Sequence, residues 1–289
     1  MTRSRPAPAR SELAPLTLGL SLVALLAAAG CGGGSSSATD LYCDTNQWSE
    51  NPICGDLIGQ QVGEYVTDYN AWNVGGFNRY CHRNEIAAGA DEGVDVGWRW
   101  SMTGQQEWWS AYAYPEVIFG KKPDYYTCST TAALPRHLPD LAGAQVDFAY
   151  SSTHSGNGNL AFDLWLSPSE GGATIPKSHE VMIWLDHWGD AEADGDVLAV
   201  PTIGGRQWDL HVVPGFTADG GAHHWVFVAY VARSPVQSPV SLDLKEFLDD
   251  LTARNVATGQ EWLAAVELGN ELGVGAGSTE VTGYRVRVE

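Results

Sequence analysis

Four carboxylates stand where a plain sheet surface would not put them. Glu180 belongs to the alternating stretch His179 to Trp188, H-E-V-M-I-W-L-D-H-W. Successive strand side chains point to opposite faces, so Glu180, Met182 and Trp184 share one face and Val181, Ile183 and Leu185 the other. The aliphatic face reads as core. A carboxylate, a thioether and an indole on the opposite face read as a floor on which something binds or reacts. Upstream, Leu160, Phe162, Leu164 and Leu166 form one face of a second strand, and Asn159, Ala161, Asp163 and Trp165 the other. Pro168, Gly171 and Gly172 supply turn chemistry between the two, so antiparallel pairing would set Asp163 and Glu180 side by side. Near the end, V-E-L-G-N-E-L-G (266–273) turns Glu267 and Glu271 away from the face of Val266 and Leu268. Carboxyl groups presented from non-core faces are the equipment of acid–base and nucleophilic chemistry.

The elements that must hold these residues are strands. Val94 to Met102 alternates, with Val94, Val96, Trp98, Trp100 and Met102 on one face; whether Trp98 and Trp100 serve core or cleft is open at this point. Val146 to Ser151, Val197 to Ile203, Trp208 to Val213, Trp225 to Val231 and Val281 to Val288 follow, with Gly or Pro between many of them. Short strands at near-regular spacing predict an all-β sandwich. One segment breaks the period: Leu244, Phe247, Leu248 and Leu251 recur at helical spacing, predicting a helix over 243–254. Asp243 with Glu246 resembles a capping box, and Asn255 is placed to end the helix. Glu261 to Leu272 reads as unbroken strand.

The first 30 residues are of another kind. Arg3, Arg5 and Arg10 precede an apolar run from Leu16 to Ala29, which closes in Ala28-Ala29-Gly30-Cys31. A basic n-region and a short h-region ended by small residues mark a secretory signal. The run is shorter than the ~20 residues of a spanning helix. Cys31 directly after the small residues resembles a bacterial lipoprotein box, so residues 1–30 are expected to be removed and Cys31 lipidated. Residues 31–40 read as a Gly/Ser tether and 41–289 as one domain. The expected location is extracellular or at the cell surface, with membrane contact only through the lipid at Cys31. Cys43, Cys54, Cys81 and Cys128 then remain, an even number that suggests two disulfides in any of three connectivities. Their spacing does not suit a metal site.

Across 289 residues the net charge is −19. So acidic a chain offers no basic patch for nucleic acid and suits a neutral ligand. Twelve Trp and 11 Tyr against 7 Phe favour amphipathic aromatics, which suit sugar faces as well as a Trp-rich core. The loop Asp186 to Asp196 is strongly acidic. An EF-hand loop begun at Asp190 would need Glu at 201, where Pro201 stands, so it reads as a solvated loop near the cleft.

The stretches H-E-V-M-I-W-L, N-L-A-F-D and V-E-L-G-N-E-L-G resemble the signature strands of glycoside hydrolase family 12. C-D-T-N-Q-W (43–48), Y-N-A-W-N (69–73), Y-P-E-V-I-F-G (114–120) and W-V-F-V-A-Y (225–230) follow in the family's order. The resemblance implies a β-jelly roll of two antiparallel sheets with a concave cleft. It implies an endo-β-1,4-glucanase acting with retention on cellulose-like, mixed-linkage or xyloglucan chains. Glu180 would be the nucleophile and Glu271 the acid/base, with Asp163 hydrogen-bonded to Glu180 and Glu267 as rival for the acid role. Asn70, Trp72, Trp48, Asn159, Met182 and Trp184 would contact substrate. No metal or organic cofactor is implied, the partner is the β-glucan itself, and the enzyme is expected to be a monomer. The acidic loop departs from the Gly/Pro-rich form of the family. A non-catalytic glycan-binding lipoprotein on the same jelly roll is the alternative, and a xylanase-like linkage choice a third reading.

Overall fold

The computed structural model describes residues 60–71, 79–106, 109–123, 129–171, 176–217 and 224–289. The signal and tether, Cys31, Cys43, Cys54 and Cys128, and Trp48 and Trp72 lie outside them. Cys81 is described as backbone alone.

The strands run β1 Gln61–Val62, β2 Tyr65–Asp68, β3 Arg79–Ala88, β4 Val94–Thr103, β5 Glu116–Gly120, β6 Arg136–His137, β7 Ala144–Ser167, β8 His179–Trp188, β9 Val197–Ala199, β10 Thr202–Ile203, β11 Arg206–Phe216, β12 Trp225–Ala232, β13 Val240–Asp243, β14 Trp262–Gly269 and β15 Leu272–Val288. A helix, α1, spans Leu244–Ala253. The fold is the expected all-β jelly roll. One layer carries the order β2-β5-β14-β7-β8-β12-β11; the other is built from β3, β4, β15, β13 and the first half of β7.

Two features of the topology were not legible in the residue pattern. The sequence shows two strands at 146–151 and 159–166, whereas β7 is one strand of 24 residues. Its polar middle, S-S-T-H-S-G-N-G, reads as a loop, but it pairs antiparallel with β15, and its side chains stay partly or fully exposed. Because β7 serves both layers, the hydrogen-bonded ladder is continuous and the sheet folds back on itself. The second departure is β12, which runs parallel to β8, with Phe227 opposite Glu180 and Ala229 opposite Met182. The two layers are therefore not purely antiparallel.

Alternation fills the space between the layers. Val96, Trp98, Trp100 and Met102 of β4 are buried with Leu160, Phe162 and Leu164 of β7 and Val181, Ile183 and Leu185 of β8. Trp98 and Trp100 are thus core, because β4 lies in the layer away from the cleft. Phe148 and Phe162, from the two halves of β7, meet edge-on with ring centroids 5.9 Å apart. The helix buries Leu244, Phe247, Leu248 and Leu251, the stripe its spacing predicts. The capping box is only half formed. Asp243 accepts from the backbone N–H of Lys245 at 3.0 Å, while Glu246 reaches across to the N–H of Gly204. Asn255 takes the left-handed φ of 58° that ends the helix.

Candidate active site

The cleft face is set by register. Across β14, β7, β8 and β12, one row runs Glu267, Asp163, Met182, Ala229, and the neighbouring row runs Ala265, Trp165, Glu180, Phe227. Asp163 and Glu180 therefore share a face but sit diagonally. The expectation of a side-by-side pair fails because Asp163 pairs with Met182 and Glu180 with Trp165. Nor are the two hydrogen-bonded: among the described residues Oδ1 of Asp163 is buried without a partner. Glu180 instead accepts from the indole Nε1 of Trp225 at 2.6 Å.

Glu271 reaches the same face from the break between β14 and β15. The expected unbroken strand is interrupted here because Asn270 turns inward. Its Oδ1 accepts from Trp98 Nε1 and from Thr279 Oγ1, and its Nδ2 donates to the carbonyl of Asn159 at 2.6 Å. A buried amide with its groups satisfied is a rigid pivot. Asn159 then latches the next residue. Its Nδ2 donates to Glu271 Oε2 at 2.6 Å, its Oδ1 accepts from the Glu271 N–H at 3.0 Å, and its own N–H donates to the Glu271 carbonyl at 3.0 Å. Gly158 leaves room for this turn, since a Cβ there would lie 2.7 Å from the Glu271 carbonyl oxygen.

Burial raises both glutamates. Burial pushes Glu271 up to about 8; the Asn159 hydrogen bond works against this, while the charges of Glu180 and Asp194 add to it. Burial also pushes Glu180 up, to about 7, with the Trp225 hydrogen bond and the Lys177 and Lys122 charges pulling it back. Asp163 is held well above the carboxylate range by burial and then by Glu180 and Glu267. Both glutamates thus sit where a carboxyl group can hold or release a proton near neutral pH.

A sequence model of glycosyl hydrolase family 12 matches residues 63–289. The chain belongs to that family. As a family 12 glycoside hydrolase it has relatives at modest identity. The Endoglucanase S of Pectobacterium parmentieri is 27% identical over 201 residues, covering 68% of this chain and 72% of the relative. A xyloglucan-specific endo-beta-1,4-glucanase A from Emericella nidulans is 27% identical over 242 residues, covering 82% and 90%. Among solved structures, a family 12 xyloglucanase from Bacillus licheniformis superposes with TM-score 0.68 at 21% identity, covering 83% of this chain and 99% of that one. An endoglucanase from Rhodothermus marinus gives TM-score 0.65 at 27% identity with the same coverage.

The other residues singled out in this family 12 chain fall into place unevenly. Asn159, expected to contact substrate, is fully buried and both its amide atoms are spent on Glu271, so it stands behind that residue. Asn70, with a left-handed φ of 38°, gives its Nδ2 to Glu116 at 2.9 Å at the β5 side of the cleft sheet. Met182 and Trp184 lie on the cleft face as expected, but each is only 2% exposed. Ala191 and Ala193 of the acidic loop, with Trp109, pack over them and over Ala161, Phe227 and Ala229. The loop is anchored where the Asp190 N–H donates to Asn157 and where the Gly195 carbonyl meets His211 Nδ1 at 2.9 Å. Glu267 is no exposed rival to Glu271: its carboxylate is buried against Lys122 at 2.5 Å.

Residue reasoning missed Trp225, Lys177 and Lys122. The first was visible only as the start of W-V-F-V-A-Y, whose alternation puts Trp225 and Phe227 on the cleft face. Lys177 sits over both Trp165 and Trp225, 4.9 and 4.7 Å from their ring centroids. No periodicity signals a lysine that acts through the fold.

Proposed function

We propose that this enzyme is an exported endo-β-1,4-glucanase that cuts internal bonds of cellulose-like, mixed-linkage or xyloglucan chains with retention of configuration. The observation that carries the reading is the shared cleft face of Glu180 and Glu271, the first held by Trp225 and the second by Asn159. The curated relatives named for endoglucanase and xyloglucan-specific activity support the substrate class.

In the proposed reaction Glu180, ionised, attacks the anomeric carbon as the glycosidic C–O bond breaks. Glu271 gives its proton to the departing oxygen, so the leaving sugar departs as an alcohol and Glu271 becomes a carboxylate. Glu271 then takes a proton from water, whose oxygen displaces Glu180 from the anomeric carbon and restores both groups. Asp163 supports the ionisation of Glu180 from the neighbouring row. Removal of the signal and lipidation at Cys31 would place the domain outside the cytoplasm.

Reducing-end release from carboxymethyl-cellulose, barley β-glucan and xyloglucan tests the activity, and NMR of the first-formed anomer tests retention. Hydrolysis with the β-anomer appearing first is expected. No release from any of the three, or full activity in Glu180→Ala, would overturn the reading. Labelling with a palmitate analogue that disappears in Cys31→Ser tests the anchor.

A further inference from the structure

Trp225 gives Glu180 its one indole donor, yet its own place in the sheet is a strand end. It is the first residue of β12, and the parallel ladder with β8 begins one residue later, where Val226 pairs with His179. On its other side it pairs with Phe216 beyond a register shift in β11. The ring is therefore held by what packs on it. Phe216 and Trp165 meet it edge-on, with centroids 5.5 and 6.2 Å away. Trp165 and Trp225 stand at 65° to each other and form a corner, and the ammonium of Lys177 sits in that corner, 4.9 and 4.7 Å from the two centroids. Both rings are almost wholly buried, at 7% and 6% exposure. Trp165 is pinned from behind by its own N–H, which donates to Glu267 at 3.3 Å, so it is a fixed wall. A cation over an indole face is attracted by the ring quadrupole, and more strongly where water is excluded. It also draws π density toward itself, which leaves the N–H at the ring edge more positive and a better donor to a carboxylate.

We infer that Lys177 is a positioning residue for the nucleophile that acts through Trp225: its ammonium, seated on both indoles, fixes the ring whose N–H reaches Glu180 and strengthens that N–H as a donor. The inference rests on the role proposed above for Glu180. The charged groups that face Glu180 are Asp163 from β7, Lys122 after β5, Glu267 from β14, Glu271 beyond it, and Lys177 ahead of β8. From β12 this face receives Trp225, Phe227 and Ala229, none of which titrates. The Lys177 charge also favours the ionised form of Glu180 directly, so the route through the indole must be separated from the direct one.

A double-mutant cycle separates them. The pH dependence of kcat/KM on barley β-glucan is measured for the parent, Lys177→Met, Lys177→Arg, Trp225→Phe and Lys177→Met/Trp225→Phe. Lys177→Met should raise the acid limb by about half a unit, roughly a threefold loss of the ionised fraction below it, with KM within about twofold. Lys177→Arg, whose guanidinium also stacks on aromatic faces, should restore most of the shift. With Phe at 225 the lysine change should move the limb by less than half as much as in the parent. A shift of equal size in both backgrounds is the direct charge effect alone and overturns the inference, as does a fall in melting temperature with an unmoved limb. The indole N–H resonance of Trp225, assigned through Trp225→Phe, reads the same contact without turnover. It should lie downfield of exposed indoles in the parent, move upfield in Lys177→Met and stay in place in Lys177→Arg. A resonance that ignores Lys177→Met overturns the inference. A parent that hydrolyses nothing speaks against the proposed function, while the indole resonance still decides what Lys177 does to Trp225.

Discussion

Asn159 holds Glu271 by three hydrogen bonds, two from its side chain and one from its backbone, at 2.6 to 3.0 Å. Glu271 is thereby fixed at both its carboxylate and its main chain, although it lies outside any strand. Rigid placement of a proton donor is what converts an ordinary glutamate into an efficient one.

Asn159→Ala should lower kcat roughly 10- to 100-fold, since a misplaced catalytic group loses about that much. It should also move the alkaline limb. Asn159 donates to the ionised form of Glu271, so its loss favours the protonated form and carries the limb to higher pH. A pH series of kcat/KM reads both effects. An unmoved limb would show that the hydrogen bond is absent in solution.

For the parent, kcat/KM should describe a bell lying above the usual carboxylate range. In the proposed reaction activity requires Glu180 ionised, so it falls as pH drops through the raised value near 7; it requires Glu271 protonated, so it falls again as pH rises through about 8. Initial rates at saturating buffer and constant ionic strength measure the two limbs. A broad plateau extending below pH 5 would contradict the burial of both groups.

Trp225→Phe keeps the ring and removes the N–H that reaches Glu180. Without that donor the carboxylate loses a charge-assisted hydrogen bond of about 1.5–3 kcal/mol, so the acid limb should rise by about one unit or more. The alkaline limb should stay in place. Comparison of the two limbs in one titration separates this from a general loss of fold.

Replacing Asp190 to Asp194 by a short glycine link should uncover Met182 and Trp184, which Ala191 and Ala193 now cover. Acrylamide quenching of tryptophan fluorescence should increase, and KM for long β-glucan chains should fall severalfold. Unchanged quenching would mean that the loop does not shield the floor in solution.

Asn270→Ala should be costly for stability and for activity together. It strands the Trp98 N–H and takes one partner from the Asn159 carbonyl and from the Thr279 hydroxyl, which keeps Ser152 Oγ at 3.1 Å; each group left unsatisfied costs about 1–3 kcal/mol. It also frees the turn that carries Glu271. Chemical denaturation and kcat measured on the same preparation should both decline.

Much of this site could be read before any fold was known. Strict alternation determined that Glu180, Met182 and Trp184 turn away from the core, since period-two geometry leaves a strand side chain only two directions. The same rule placed Asp163, Asn159 and Glu267, and a 3.6-residue spacing located α1 from Leu244 to Ala253. Local pattern says nothing about which strands pair or in which register. The tertiary structure alone decided that Asp163 faces Met182 and Glu267, that Trp225 reaches Glu180 from a parallel neighbour, and that a 24-residue strand bends through both layers. It also turned Asn159 from an expected substrate contact into the holder of Glu271, and it paired Glu267 with Lys122, which is 145 residues distant. Direction off a strand is a property of neighbouring residues, whereas the partner across the strand is set by the packing of the whole chain.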